Sequence, residues 1–167
     1  MDCTIPITTS KNNMSTELKN VDASLFDTSI AEARFGVPTV AHSPRILMLY
    51  GSVRERSYSQ LATEEAARLL TAMGAELQIS NPFGLPLLDD APELHPKVIE
   101  LRGLVRWFEG MVWCSPERHG AMTGIMKAQI DWISLSEGAV SSSQGKTLAV
   151  MQVCGGSQSF KAVNVLH

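Results

Sequence analysis

Between an apolar run ending at Tyr50 and a helical repeat beginning near Leu61 lies the loop Gly51-Ser52-Val53-Arg54-Glu55-Arg56-Ser57-Tyr58-Ser59. A helix N-terminus carries unpaired N–H groups and partial positive charge, which suits a phosphate. Ser52, Ser57 and Ser59 add neutral donors, with Tyr58 among them, and Arg54 offers a charge-assisted contact. Ser57 or Ser59 could equally cap the helix, in a polar loop whose arginines are merely solvated. Neither GxGxxG nor GxxxxGK[ST] occurs here, which argues against a dinucleotide fold of the dehydrogenase type and against a P-loop NTPase. One phosphate without a Walker lysine fits a mononucleotide.

Two more loops are mixed in chemistry. Ser115-Pro116-Glu117-Arg118-His119-Gly120-Ala121-Met122-Thr123-Gly124 combines polar edges with glycines that let backbone amides approach a flat ring. His119 alone is more often a capping or surface residue than a base, and no Cys or His stands at metal-ligand spacing, so no metal site is expected. In Cys154-Gly155-Gly156-Ser157-Gln158-Ser159 the paired glycines permit close approach, and Ser157 and Gln158 could bond a heterocycle edge. Taken singly it reads as a flexible turn. Cys114 and Cys154 are expected to be buried, inert thiols, and Trp107, Trp113 and Trp132 to be core or interface.

The elements that must position these loops read as β-α-β-α-β-α-β. Ile46 to Tyr50 is apolar throughout, as a strand buried on both faces should be, and Met111 to Cys114 repeats the pattern. Ala75 to Ile79 and Thr147 to Val153 supply the other strands, and helices are expected from Leu61 to Met73, Val98 to Phe108 and Ala121 to Ile133. Gly74 sits where a C′ glycine belongs. Buried strands with long connections imply a parallel, doubly wound α/β sheet, whose ligands bind beyond the strands' carboxyl ends near the switch point. That is why the loops after the first, third and fourth strands carry the functional expectation.

Composition supports one α/β domain. The chain has 167 residues, 44% hydrophobic and 19% charged, with a net charge of −3 that points to neither nucleic acid nor an anionic membrane. Residues 1–44 are polar and irregular, apart from a possible short helix from Ser29 to Phe35, and read as an arm; residues 45–167 form the domain. Three cysteines without CxxC spacing, no membrane-length apolar run and no signal-peptide pattern lead to the expectation of a cytoplasmic protein.

The loop from Gly51 to Ser57, the run Ser115 to Gly124, the segment Gln129-Ile130-Asp131-Trp132 and Gly155-Gly156-Ser157-Gln158-Ser159-Phe160 together resemble the arsenical-resistance (ArsH-type) branch of the NADPH-dependent FMN reductases, from Ser43 to about Asn164. The resemblance implies a flavodoxin-like sheet of order 2-1-3-4-5, bound FMN, NADPH as co-substrate and a homotetramer assembled with help from the N-terminal arm. It implies that Ser52, Arg54, Ser57, Tyr58 and Ser59 hold the FMN phosphate. Pro116, Glu117, Arg118, His119 and Gly120 would line the isoalloxazine and ribityl chain, and Gly155, Gly156, Ser157 and Gln158 would meet the pyrimidine edge.

The implied chemistry is ping-pong, from NADPH through the flavin to quinones, azo dyes, metal ions, trivalent organoarsenicals or dioxygen, with no side chain named as acid or base. A flavodoxin-like electron carrier without NADPH chemistry, and an inactive fragment, are the competing expectations. Two departures accompany the resemblance. The chain stops at Val163-Asn164-Val165-Leu166-His167, where the family continues through a fifth strand and a final helix, so a C-terminally incomplete domain with an exposed fourth-strand edge is expected. Lys161 also stands where a small polar residue is expected.

Overall fold

The computed structural model describes residues 42–89, 94–133, 143–156 and 161–166, together with Asp22, Ser29 and Ala33. Ser29 and Ala33 are helical; the rest of the expected short helix, and most of the arm, lie outside the described residues. Eight elements follow: β1 (Arg45–Tyr50), α1 (Tyr58–Ala72), β2 (Glu76–Ser80), α2 (Pro96–Trp107), β3 (Gly110–Pro116), α3 (Gly124–Trp132), β4 (Thr147–Val153) and α4 (Lys161–Leu166).

All strand pairs are parallel, in the order β2-β1-β3-β4. The expected doubly wound α/β sheet is therefore present, with 2-1-3-4 as its described part and no fifth strand among the described residues. β1 lies inside the sheet because its middle is wholly apolar: Leu47, Met48 and Leu49 are fully buried. Its side chains alternate between two cores. Leu47 and Leu49 pack with Met111, Val98, Leu101, Val105, Phe108, Met126 and Trp132, so α2 and α3 cover that face. Met48 and Val112 pack with Ala67 of α1 on the other.

The chain goes from β1 outward to β2 and then back to β3 on β1's opposite side. The topological switch point thus falls between the carboxyl ends of β1 and β3, the place where such sheets bind ligands.

Helix ends are set by local chemistry. The Ser57 hydroxyl caps α1 by accepting from Gln60 N–H at 3.1 Å. At the other end Gly74 N–H reaches Thr71 C=O and Ala75 N–H reaches Leu70 C=O, both at 3.0 Å, with Gly74 at φ +91°. This is the glycine-terminated cap the sequence anticipates. Three expectations are corrected. α3 starts at Gly124 rather than Ala121, because the Thr123 hydroxyl caps it and residues 118–121 turn back on themselves. β3 runs on to Pro116, paired with Val153 of β4. Residues 161–166, where no element is expected, form α4.

Candidate functional site

The first wall of the site is built from the end of β1 and the start of α1. Gly51 extends the β1 ladder by donating to Cys114 C=O at 2.9 Å, and its own carbonyl accepts from the Thr123 hydroxyl at 2.7 Å. A Cβ here would stand 2.7 Å from Thr123 Oγ1 and 3.0 Å from Ser115 Oγ, so only glycine fits this crossing. Ser52, Ser57 and Ser59 are buried. The Ser52 hydroxyl accepts from Arg54 N–H at 3.3 Å, the Ser57 and Ser59 hydroxyls share a bond at 3.0 Å, and Ser59 C=O accepts from Thr63 at 2.8 Å. Arg54 and Tyr58 face outward instead, with the Arg56 guanidinium 5.8 Å from the Tyr58 ring. The first turn of α1 carries no acidic residue, which leaves the partial positive charge of its N-terminus uncompensated.

The opposite wall comes from the ends of β3 and β4. Arg118 and Ala121 exchange two backbone bonds, 2.9 and 3.0 Å, around His119 at φ +52° and Gly120 at φ +77°. Positive φ at both central residues is the signature of a type I′ turn, which turns the chain in the fewest residues. Ser115 anchors the turn's base: its hydroxyl accepts from Thr123 N–H at 3.1 Å and donates to Pro116 C=O at 2.9 Å. Glu117 donates through its backbone N–H to Val153 C=O at 3.1 Å, which carries the wall across to β4.

Between the walls lies a cleft of about 520 Å³, lined by Arg54, Tyr58, Pro116, Glu117, Arg118, Val153, Cys154 and Gly155. Of the residues singled out in the sequence, Arg54, Tyr58, Pro116, Glu117, Arg118 and Gly155 meet at this cleft. Ser52, Ser57 and Ser59 stand buried in its supporting wall, His119 and Gly120 form the turn beside it, and the exposed Gly156 follows Gly155. Ser157 and Gln158 lie outside the described residues.

Sequence reasoning missed Val153 as a lining residue, and Thr123 and Gln129 as framework. Gln129 is fully buried and its side-chain amide donates to Tyr50 C=O at 3.0 Å. For Thr123 the available signal is a threonine just ahead of the apolar helical repeat, a favoured N-cap type. The expectation of two buried thiols holds for Cys114, where burial pushes the thiol up despite an opposing bond from Thr63. It fails for Cys154, which is exposed at the cleft and donates to Gly156 C=O at 3.1 Å, because β4 ends one residue before it.

Neither Arg54 nor Arg118 meets a carboxylate among the described residues. Arg54 beside an uncompensated helix N-terminus, with Arg118 on the facing wall, fits an anionic ligand. A backbone opened by glycines across the cleft fits a flat ring. The residues present therefore suit a flavin mononucleotide.

Comparison with known proteins agrees with this geometry. The family model described as NADPH-dependent FMN reductase matches residues 44–167. The chain is 60% identical over 154 residues to the NADPH-dependent FMN reductase ArsH of Acidithiobacillus ferrooxidans, covering 92% of this chain and 65% of that one. It is 69% identical over 126 residues to the ArsH of Rhizobium meliloti, covering 75% and 52%. The chain thus spans about half to two thirds of the length of these relatives. Among solved structures, the apo form of the NADH:FMN oxidoreductase EMOB aligns with a TM-score of 0.61 at 19% identity over 73% of this chain and 64% of that one, a likeness of fold.

Proposed function

We propose, from the premise that the chain belongs to the family of NADPH-dependent FMN reductases, that its cleft holds FMN and that the protein uses NADPH to reduce a diffusible acceptor. The observation that carries the reading is the convergence of three loops at the carboxyl end of the sheet, with Arg54 on one wall and Arg118 on the other, neither meeting a carboxylate among the described residues, and open backbone at Gly155. Arg54 and the N–H groups opening α1 would hold the phosphate, while the buried serines hold the loop in shape. Pro116, Glu117, Arg118 and Gly155 would flank the ring, and the turn at His119-Gly120 would keep that edge narrow. Bound FMN supplies the redox chemistry, hydride uptake from NADPH and electron delivery to the acceptor. The residues orient the ring and exclude water from one side; none is assigned as an acid or base.

Quinones, azo compounds, metal ions, trivalent organoarsenicals and dioxygen are the proposed acceptor classes, on the strength of the family resemblance. A homotetramer and a cytoplasmic location are proposed with it. Self-association has support in Phe83, Leu87, Leu88 and Leu94, large apolar side chains exposed on the segment between β2 and α2. Purified protein should be yellow, and NADPH should bleach it, with rapid NADPH oxidation once a quinone is added. Flavin that binds but stays oxidised under NADPH would favour a flavodoxin-like electron carrier. Colourless protein that takes up no added FMN would overturn the reading.

A further inference from the structure

The connection between β4 and α4 brings Cys154 and Gly155 into the cleft lining. Among the described residues, nothing lies within 4 Å of where a side chain on Gly155 or Gly156 would begin. Glu117, also in the cleft lining, bonds to the described residues on either side of this connection. Its backbone N–H donates to Val153 C=O at 3.1 Å, where the connection leaves β4. Its Oε2 accepts from Lys161 N–H at 3.0 Å and from Ala162 N–H at 3.2 Å, where the connection enters α4. Gln152 adds a third grip, its side-chain oxygen accepting from Val163 N–H at 3.0 Å.

α4 depends on these bonds. A helix of six residues is far below the length that is stable through its own hydrogen bonds, and its first N–H groups have no partner inside it. Here three successive N–H groups, at 161, 162 and 163, are satisfied by side chains from other elements. Ala162 and Leu166 then reach the core, so the helix is anchored below as well as above. Remove the carboxylate and two amides lose an ionised acceptor, a stronger partner than a neutral one.

We infer that Glu117 is a positioning residue: by clamping the start of α4 it sets the backbone of Cys154-Gly155-Gly156 at the edge of the cleft where the ring would lie. The part of this inference that concerns the ring rests on the FMN reading above; the clamp itself does not. Arg54, at the phosphate end, provides the contrast.

The test uses the full chain as Glu117→Ala, Glu117→Gln, Gln152→Ala and Arg54→Ala. Amide exchange of residues 161–163, measured without flavin, should speed up about tenfold or more in Glu117→Ala, and by less in Glu117→Gln, which keeps an acceptor oxygen but loses the charge. With flavin, Glu117→Ala should weaken FMN unequally in its oxidised and reduced forms, which shifts the midpoint potential. Arg54→Ala should weaken both forms alike and leave the potential in place. Glu117→Gln should recover most of the wild-type potential, and Gln152→Ala should give a smaller shift of the same sign. Unchanged exchange at 161–163 in Glu117→Gln and Glu117→Ala would overturn the clamp. Normal FMN affinity and potential in variants with faster exchange would overturn its role at the ring. Wild-type protein that binds no FMN would sink the functional reading, while the exchange data would still judge the clamp. Should Glu117→Ala not fold, Glu117→Gln decides alone, with wild-type exchange as the overturning result.

Discussion

The two walls of the cleft are built in opposite ways. In the wall from Gly51 to Ser59 the serines are buried and bonded to neighbours two to four residues away, as in Ser52 with Arg54 N–H and Ser57 with Gln60 N–H. In the wall from Pro116 to Ala121 and Val153 to Gly156 the backbone is exposed or half-buried. That second wall is tied by bonds that span 44 and 45 residues, from Glu117 to Lys161 and Ala162. The serines of the first wall are set at the start of their own helix, so they can shape a fixed anion site, while Gly51 at the wall's base is tied to Cys114 and Thr123. The second exists only after the sheet has assembled, so its shape can be tuned from outside. On the proposed reading, binding strength would be carried by the first wall and redox tuning by the second.

Gly51 is where the first wall can be broken most severely. In Gly51→Val the new side chain would meet Thr123 Oγ1, Ser115 Oγ and Met126 Cβ, all within 3.2 Å of its Cβ. Thr123 cannot withdraw without losing its 2.7 Å bond to Gly51 C=O. Overpacking of this kind costs about 3 kcal/mol at its upper range, and the urea midpoint should fall accordingly. A variant of wild-type stability would show that the crossing is looser than its contacts imply. Next in size is Arg54→Ala, expected to weaken FMN by roughly 1.5–3 kcal/mol, or about ten- to a hundredfold in Kd, with little change in stability. Fluorescence titration of FMN would check it; equal Kd values would move the phosphate away from Arg54.

The same contrast explains what could be read from the sequence. Ile46 to Tyr50 announces β1 because an apolar run bounded by Gly51 has few alternatives, and the polar loop before α1 is informative because its bonds are local. The sequence leaves Ser57 and Ser59 equally able to cap α1; the structure gives the cap to Ser57 and places Ser59 inside the helix. α4 was illegible for a physical reason. The N–H groups that open Lys161-Ala162-Val163-Asn164-Val165-Leu166 take their acceptors from Glu117 and Gln152, well back in the sequence. Ala121 and Met122 look helical in composition, yet α3 starts after them because the turn at 118–121 is fixed by pairing and positive φ. The exposure of Cys154 depends on where β4 stops, which its neighbouring residues do not signal.

Thr123 joins the two walls, and removing it should cost less than filling Gly51. Its hydroxyl accepts from Met126 N–H at 3.2 Å as the cap of α3 and donates to Gly51 C=O. Thr123→Ala gives up both, for a loss of roughly 1–2 kcal/mol, while Thr123→Ser should retain most of the stability because the cap needs only the hydroxyl. Chemical denaturation of the two variants would check it. A serine variant as weak as the alanine one would shift the explanation to the lost methyl group.

The smallest effect lies at the base of the first wall and appears only at high pH. Burial, with a lesser contribution from the Glu64 charge, raises the Tyr50 phenol above its ordinary value of 10.0. The folded protein therefore holds that proton more tightly than the unfolded chain does. This contribution to stability is fully present below about pH 10 and is lost as pH rises through the folded value. Cys114, also raised by burial, acts in the same direction, whereas Lys146, lowered by burial, acts in the opposite one. Tyr50→Phe isolates the phenol, because both other groups remain. It gives up a long 3.3 Å bond to Asn81, worth about 0.5 kcal/mol, at every pH below the phenol's titration. Urea midpoints at about pH 8 and pH 10.5 should show a smaller alkaline loss in the variant than in the wild type. Equal losses would mean that the phenol ionises without disturbing the end of β1, and that this wall is less closed to water than its buried serines indicate.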